Sequence, residues 1–175
     1  MEKQKYAAIV LAAGSGKRMN SQVHKQYLII QDRPVLYYSL KAFDWSVLYY
    51  KILFEDSAVD EIVLVVGKGE EEFCRKEIVD KYGISKVKAI VEGGKERYHS
   101  VFEGLKQTSD ADYVLIHDGA RPFVNQDIIR RCMQEVQKYQ ACVVGMPVKD
   151  TIKIADEEGY AKQTPDRKNV WMIQT

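Results

Sequence analysis

YAAIVLAAGSGKRM, residues 6–19, joins an apolar run to a loop of small residues and cations. Residues 6–11 form a continuous apolar run, which is typical of a strand covered on both faces of a parallel sheet. The glycines after this run leave backbone N–H groups accessible, while Lys17, Arg18 and Lys25 add positive charge nearby. Oriented amides and cations together bind anions, so the stretch predicts an anion site, with phosphate as the expected anion.

Strand-like and helix-like segments alternate along the rest of the chain. The strand pattern recurs at 61–66, 87–91, 113–117 and 141–146, and helical periodicity occurs at 34–43, 69–82, 96–107 and 125–139. Such alternation predicts an α/β fold with a mostly parallel sheet. In the third of these helices we expect Val101, Phe102 and Leu105 to face the core.

The composition is that of one globular domain. The chain has 175 residues, a formal net charge of +1 and 46% hydrophobic residues, so no global field favours nucleic acid. The apolar runs are far shorter than the roughly 20 residues that span a bilayer. Three widely spaced cysteines without metal-ligand spacing indicate reduced, buried thiols.

A strand pattern within a few residues of the N-terminus leaves no room for a signal peptide. We therefore predict a cytoplasmic protein that binds neither nucleic acid nor membrane.

Two segments depart from the regular alternation. The residues VLYY at 35–38 recur at 47–50, and this spacing does not match whole helical turns. A local tandem duplication explains the recurrence and predicts an insert over residues 44–54. Residues 148–164 are polar and weakly alternating, which predicts an extended arm or hairpin, and residues 170–175 suggest one more strand.

Polar clusters follow three of the predicted strands, at 14–18, 93–97 and 118–121. Ligands of parallel sheets bind beyond the carboxyl ends of the strands. The three clusters therefore predict one shared site.

The loop 14–18 differs from two familiar phosphate-binding loops. A P-loop places Ser or Thr directly after its lysine, where this chain has Arg18. A dinucleotide fingerprint needs a third glycine, where this chain has Met19. The remaining interpretations are a nucleotidyltransferase-type loop and a plain glycine turn with solvated cations.

Asp118 and Arg121 follow an apolar strand, and each has two interpretations. A carboxylate at a strand end can hold Mg²⁺ against a triphosphate, or it can stabilise a turn. Arg121, beside the stiff Pro122, can clamp a phosphate with two hydrogen bonds or pair with Asp118.

The other candidate residues also have a structural alternative. Gly93-Gly94 suits a base-binding loop or a simple turn, and Ser100 can donate to a base or bond within its helix. Thr151 and Arg167 stand in a polar segment where solvation is the default. The three histidines lack metal-site spacing, which indicates structural roles.

Six motifs occur in order along the chain. They are residues 11–19 (LAAGSGKRM), 25–27 (KQY), 93–101 (GGKERYHSV), 117–122 (HDGARP), 147–153 (PVKDTIK) and 166–167 (DR). Together they resemble the 2-C-methyl-D-erythritol 4-phosphate cytidylyltransferases of the non-mevalonate isoprenoid pathway, over nearly the whole chain. The resemblance implies a Rossmann-like, doubly wound sheet of the nucleotide-diphospho-sugar transferase type, as a single domain over residues 1–175.

The resemblance also implies a reaction and a set of site residues. CMP is transferred from CTP to 2-C-methyl-D-erythritol 4-phosphate by in-line attack on the α-phosphorus, and pyrophosphate leaves. Asp118 is implied to bind Mg²⁺, and the implied catalytic residues are Arg18, Lys25 and Arg167. The residues implied to bind CTP are Ala12, Ala13, Gly14, Ser15, Gly16, Gly93, Gly94 and Ser100. Those implied to bind the polyol phosphate are Arg121, Thr151 and Arg167.

The resemblance also bears on the oligomeric state and on how much of the family's domain this chain contains. In the family, the arm that matches residues 148–170 embraces a neighbouring subunit, which implies a homodimer whose Thr151 and Arg167 reach the partner's site. The family continues past Thr175 with a second metal-binding aspartate and a lysine, so we expect the domain to be C-terminally incomplete. An inert nucleotide-binding fragment is thus one alternative. A ribitol-5-phosphate cytidylyltransferase is the other, which the sequences at 12–14 and 118–121 disfavour.

Overall fold

The computed structural model describes residues 3–14, 23–45 and 59–173. Its strands are β1 (Tyr6–Ala12), β2 (Ile29–Ile30), β3 (Arg33–Pro34), β4 (Glu61–Val66), β5 (Val87–Glu92), β6 (Tyr113–Asp118), β7 (Gly145–Pro147), β8 (Ile154–Ala155), β9 (Ala161–Gln163) and β10 (Trp171–Ile173). Its α-helices are α1 (Val35–Phe43), α2 (Glu71–Cys74), α3 (Arg97–Leu105) and α4 (Gln126–Tyr139). α2 continues as a π-helical segment, Arg75–Asp80, and 3₁₀ turns occur at Lys25–Tyr27 and Arg167–Asn169.

The four long strands form one parallel sheet in the order β5-β4-β1-β6. β1 lies inside this sheet, with Ala7 in register with Glu61 of β4 and Tyr6 in register with Tyr113 of β6. Because the four strands run in the same direction, their carboxyl ends meet at one edge of the sheet. The predicted parallel α/β sheet is confirmed, and the loops that follow β1, β5 and β6 leave it at the same edge.

Helices cover both faces of the sheet, as the doubly wound prediction requires. On one face, Leu36 of α1, Cys74 of α2 and Ile129 of α4 join a single buried cluster. On the other face α3 covers Ile9 and Val63, which are fully buried. Because both faces are packed, β1 and β4 contain the nearly continuous apolar runs from which they were predicted.

α3 approaches the sheet through small residues, so the prediction that Phe102 and Leu105 face inward is wrong. Phe102 is 60% exposed and Leu105 is 41% exposed, while Val101 is half-buried. Gly104 faces the sheet instead, and a Cβ atom there would lie 2.6 Å from Cγ2 of Ile9. The helical period is right, but close helix–sheet packing favours small residues on the inner face and turns the large ones outward.

The segment 141–146 does not form a fifth strand of the parallel sheet, which corrects a second prediction. The observed strand is the shorter β7, which pairs antiparallel with β10. Gln140 adopts a left-handed backbone with φ of 65° and ends α4. The chain then folds back along this helix, so that Cys142 Sγ lies 3.5 Å from the Cys132 carbonyl oxygen. The apolar run indicates β structure, but it does not specify the partner strand.

The polar segment from 148 to 164 contains an exposed antiparallel hairpin, as predicted. β8 and β9 pair with each other, and every residue of both strands is exposed. Gly159 turns the hairpin with φ of 89°, and Asp156 accepts backbone hydrogen bonds from Glu158 and Tyr160.

The predicted insert over residues 44–54 lies outside the described residues except for Asp44 and Trp45. Asp44 is buried, and its Oδ1 accepts hydrogen bonds from the Lys86 backbone N–H and the Ser85 hydroxyl. This aspartate therefore fastens the end of α1 to the segment that leads into β5.

The cysteines are free, but only one matches the prediction of buried thiols. Cys74 is buried, Cys132 is half-buried and Cys142 is exposed. Burial raises the pKa of Cys74 to about 11, so its thiol stays protonated and acts as a core side chain. Among the described helices, none is long and apolar enough to cross a membrane.

Truncation of Leu36 should be far more destabilising than the same truncation of Leu105. Leu36 is fully buried in α1 and Leu105 is 41% exposed on α3, so Leu36→Ala should lower the free energy of unfolding by about 2–5 kcal/mol. Leu105→Ala, the matched control, should cost less than about 1 kcal/mol. Urea unfolding followed by circular dichroism measures both, and equal losses would contradict the observed face of α3.

Candidate nucleotide-binding site

Three loops converge at the carboxyl edge of the parallel sheet. After β5, the Gly93 N–H donates to the Val66 carbonyl at 2.8 Å, and after β6 the Gly119 N–H donates to the Leu11 carbonyl at 2.7 Å. Each loop therefore docks on the end of a neighbouring strand. The predicted convergence of the polar clusters at one edge is confirmed for the loops after β5 and β6 and for the start of the loop after β1.

Gly93 is the point where the loops come closest together. A Cβ atom at this position would lie 2.5 Å from Cβ of Ala13 and 2.7 Å from Oγ of Ser100. Only glycine allows this approach, because real Cβ atoms do not come so close to other heavy atoms. The structure thus brings together Ala13, Gly93 and Ser100, three residues predicted separately to bind CTP.

Gln26 shapes the loop that follows β1. Its side chain is fully buried, and its Nε2 donates to the Ala12 carbonyl at 2.6 Å and to the Gly14 carbonyl at 3.3 Å. Gly14 itself is exposed, and a Cβ atom there would meet open space. The backbone at Gly14 is therefore accessible to a ligand, while its carbonyl accepts a hydrogen bond from the buried Gln26 side chain. Lys25, next to Gln26 on the 3₁₀ turn, is exposed at the surface.

Asp118 at the end of β6 is held between two arginines. Its Oδ2 accepts a hydrogen bond from Nε of Arg121 at 2.9 Å, and its Oδ1 lies 3.2 Å from Nη2 of Arg97. Burial by itself would raise the pKa of Asp118, but the Arg121 hydrogen bond and the Arg97 charge outweigh it and lower the pKa below its ordinary value. The carboxylate is therefore ionised at neutral pH.

Arg97 reaches Asp118 from the first turn of α3, on the opposite side of β1. In the sheet order, β5 and β4 stand on one side of β1 and β6 on the other. The Arg97–Asp118 contact therefore spans the edge above the end of β1. Two guanidinium groups and one carboxylate thus meet at this edge of the sheet, and guanidinium groups are suited to binding phosphate oxygens.

The loop that contains Asp118 is fixed from beneath. The buried Ser39 hydroxyl of α1 donates to the Gly119 carbonyl at 2.9 Å and to the Arg121 carbonyl at 3.2 Å. His117 Nε2 donates to the Arg121 carbonyl at 3.0 Å. Burial lowers the pKa of His117, so its ring is neutral and serves as a structural donor.

The segment from Gly93 to Ser100 is also closely packed. The Gly94 N–H donates to Ser100 Oγ at 3.2 Å, and a Cβ atom at Gly94 would lie 2.3 Å from Cβ of His99. The Glu96 N–H donates to Nδ1 of His99 at 3.3 Å, as part of a capping box at the start of α3. Ser100 thus bonds within its own segment, which agrees with its structural interpretation.

The remaining predicted site residues lie elsewhere. Thr151 and Arg167 are exposed in the segment around the hairpin, and Arg167 Nη1 donates to the Lys149 carbonyl at 2.8 Å. Ser15, Gly16 and Arg18 lie outside the described residues. A cavity of about 640 Å³ is lined by Tyr37 of α1 and by Pro122 and Asn125 of the loop after β6, and one of about 430 Å³ lies beside Trp171. Ala13, Gly93 and Asp118 line neither of them. The candidate site therefore rests on convergence of loops and charge.

Three residues of this edge carry roles that the sequence analysis did not assign. Arg97 pairs with Asp118, Gln26 holds the first loop, and Ser39 holds the loop after β6. Arg97 and Gln26 stand inside motifs quoted from the sequence, which was their available signal. Ser39 lies in α1, outside the quoted motifs, and nothing in the sequence marks it. Only the fold brings its hydroxyl to the Gly119 carbonyl.

The ion pairs of Asp118 should make stability depend on pH in a specific direction. Because the folded-state pKa of Asp118 is lowered, its stabilising effect is present near neutral pH and is lost as pH falls through that pKa. The difference in unfolding free energy between the wild type and Asp118→Asn should therefore shrink between about pH 5 and about pH 3. Urea titrations at several pH values measure it. Asp80→Asn, at an exposed carboxylate, is the control, and a pH-independent difference for Asp118→Asn would refute the effect.

Comparison with known proteins agrees with this geometry. The family model described as IspD, 2-C-methyl-D-erythritol 4-phosphate cytidylyltransferase, matches residues 6–175. The enzyme of that name from Lachnospira eligens is 52% identical over 96% of this chain and 69% of its own length. The one from Lachnoclostridium phytofermentans is 49% identical over 98% of this chain and 69% of its own length. A crystal structure of 4-diphosphocytidyl-2C-methyl-D-erythritol synthase from Anaerococcus prevotii superposes with a TM-score of 0.76 at 34% identity, covering 99% of this chain and 68% of the other. The chain belongs to the 2-C-methyl-D-erythritol 4-phosphate cytidylyltransferase family.

Proposed function

We propose that this chain transfers the cytidylyl group of CTP to 2-C-methyl-D-erythritol 4-phosphate and releases pyrophosphate. The observation that carries the proposal is the meeting of Ala13, Gly93 and Ser100 at the same sheet edge as the Arg97–Asp118–Arg121 ion pairs. A close-packed backbone surface and two guanidinium groups lie at one edge of the sheet, which suits a nucleoside triphosphate. The family match supplies the identity of the nucleotide and the acceptor.

The reaction needs positioning and charge stabilisation more than covalent catalysis. An oxygen of the acceptor's 4-phosphate attacks the α-phosphorus of CTP, the bond to the β-phosphate oxygen breaks, and pyrophosphate leaves. Phosphoryl-type transfers of this kind are accelerated mainly by alignment and by cations around the reacting phosphates. We assign these roles to Lys25, which is exposed on the 3₁₀ turn, and to Arg18.

Asp118 is suited to holding Mg²⁺ against the triphosphate. Mg²⁺ binds through one or two carboxylates plus substrate phosphates and retains waters, so a single ionised carboxylate at the opening satisfies its needs. Within the described residues, no three His, Cys, Asp or Glu side chains form a candidate metal-binding group. When bound there, Mg²⁺ would neutralise charge on the phosphates, and the guanidinium groups of Arg97 and Arg121 would have phosphate oxygens as alternative partners.

The nucleoside is proposed to lie against the backbone of the loops that follow β1 and β5. Ala12, Ala13 and Gly14, with Ser15 and Gly16 beyond them, would contact the nucleotide through main-chain groups. Because Gly93 and Gly94 carry no side chain, their loop packs directly against Ala13, Ser100 and His99, and its main-chain groups are proposed to contact the cytosine and ribose. Ser100 maintains this shape through its bond with the Gly94 N–H.

The polyol phosphate is proposed to bind Arg121 within the chain and Thr151 and Arg167 of a neighbouring copy. The hairpin strands are fully exposed, and Ile154 and Tyr160 present apolar surface there. Exposed apolar side chains on a protruding arm are typical of a segment that packs on a partner, which supports a homodimer. The three free thiols agree with a reducing cytoplasmic location.

Removal of the Lys25 ammonium should nearly abolish turnover. With CTP, Mg²⁺ and 2-C-methyl-D-erythritol 4-phosphate, the wild-type chain should release pyrophosphate, and Lys25→Ala should be at least about 100-fold slower because charge at the α-phosphate is no longer balanced. A coupled pyrophosphate assay measures this, with ribitol 5-phosphate as the competing acceptor. Lys76→Ala, at an exposed lysine of the π-helical segment, should retain wild-type turnover. Folded wild-type protein that binds CTP without releasing pyrophosphate would refute the proposal and favour an inert nucleotide-binding fragment.

A charge placed on the arm should dissociate the proposed homodimer. Ile154→Asp adds a carboxylate to the exposed hairpin, where a partner would otherwise bury the side chain, so sedimentation velocity should shift from dimer to monomer. Ile29→Asp places the same charge on another exposed isoleucine and should leave the dimer intact. A monomeric wild-type chain would contradict the assignment of Thr151 and Arg167 to a partner's site.

A further inference from the structure

Glu70 stands at the centre of a polar cluster that the proposed chemistry does not use. Its Oε2 accepts hydrogen bonds from the Tyr27 hydroxyl at 2.7 Å and from the Gly67 N–H at 3.1 Å. Its Oε1 lies 3.0 Å from Nδ1 of His24. These partners come from the end of β4 and from the 3₁₀ turn that carries Lys25, so one carboxylate connects the two segments.

The cluster is tightly packed. A Cβ atom at Gly67 would lie 2.7 Å from Oε2 of Glu70, so the carboxylate rests directly against the backbone that leaves β4. The Tyr27 hydroxyl also lies 3.1 Å from Sγ of Cys74. Burial, with the Cys74 and Glu70 contacts, raises the pKa of Tyr27 far above its ordinary range. The phenol therefore stays neutral and remains a hydrogen-bond donor to Glu70.

The turn that carries Lys25 is held from two sides. Gln26 donates to the Ala12 carbonyl on the side of β1, and Tyr27 and His24 contact Glu70 on the side of β4. The Tyr27 N–H donates to the His24 carbonyl at 2.9 Å and closes the turn. Lys25 lies between these anchors with its side chain exposed, so its backbone is fixed although its head group is free to meet a ligand.

We propose that Glu70 is a positioning residue that fixes the backbone of Lys25 at the triphosphate site. This inference rests on the proposed role of Lys25 in cytidylyl transfer. A lysine has a flexible four-carbon stem, so anchoring its backbone reduces the conformational freedom lost when the ammonium group meets the α-phosphate. Glu70 acts on Lys25 indirectly. Its carboxylate oxygens bind His24 and Tyr27 and so hold the turn in place.

The test substitutes Glu70→Gln, which keeps the size of the side chain but removes its charge and one acceptor oxygen. We expect kcat to fall about tenfold, with a change of less than about twofold in the KM for the acceptor, because acceptor contacts are not altered. Glu72→Gln is the matched control, since the Glu72 side chain is 78% exposed, pairs with Lys76 and lies two residues further on, in α2. It should leave kcat unchanged.

A double-mutant cycle separates positioning from general destabilisation. If Glu70 acts through Lys25, then Glu70→Gln should cause less than about a twofold further loss in a Lys25→Ala background. An equal loss in both backgrounds, or no loss in the wild-type background, would overturn the proposal. Thermal unfolding of each variant establishes that the proteins compared are folded.

Hydrogen exchange tests the anchor independently of turnover. If the wild type releases no pyrophosphate, the proposed function fails, but the Tyr27 and Val35 N–H groups, which donate to His24 and Leu28 carbonyls, still report on the turn. Their exchange should be about tenfold faster in Glu70→Gln than in Glu72→Gln, because the turn opens more often. Equal exchange in the two variants would show that Glu70 does not hold the turn and would overturn the proposal.

Discussion

The pairing of β1 with strands on both sides is the constraint on which the candidate site depends. The ladders align Ala12 with Val66 of β4 and Leu11 with Asp118 of β6. The strands therefore end side by side at the same edge of the sheet. The loops that follow them are close enough for Gly93 to contact Ala13 and Ser100. A one-residue slip of β1 would move its buried side chains to the opposite face, so packing of the core enforces the alignment of the site.

Electrostatics then decide what the edge can bind. Asp118 pairs with the guanidinium groups of both Arg97 and Arg121. These ion pairs keep the two arginine side chains near the end of β6. The oxygens of a phosphate, like those of a carboxylate, accept hydrogen bonds from guanidinium groups. The groups that pair with Asp118 are therefore also suited to a phosphate.

The sequence predicted the sheet well because its inner strands β1 and β4 are buried along nearly their whole length and therefore have long apolar runs. The predictions failed where a segment's structure depends on the element that it packs against or pairs with, and not on its own apolar pattern. Residues 141–146 have the composition of a core strand, yet the left-handed Gln140 turns the chain along α4. The prediction of the inner face of α3 also failed, since Gly104 packs against the sheet because it has no side chain. At the site, glycines and charged residues gave local signals, whereas Ser39 and Glu70 act through contacts that only the fold creates.

The close approach of α3 to the sheet has a consequence for how the sequence can vary. Cγ2 of Ile9 occupies the space that a side chain at position 104 would need, and Val65 lies beside it. Position 104 can therefore gain a methyl group only if position 9 loses volume or α3 moves outward. Movement of α3 would carry Arg97 and Ser100 away from the edge, because both lie on the same helix. Selection for activity should thus act on a glycine far along the helix from any ligand, through compensating changes at position 9 in a buried strand.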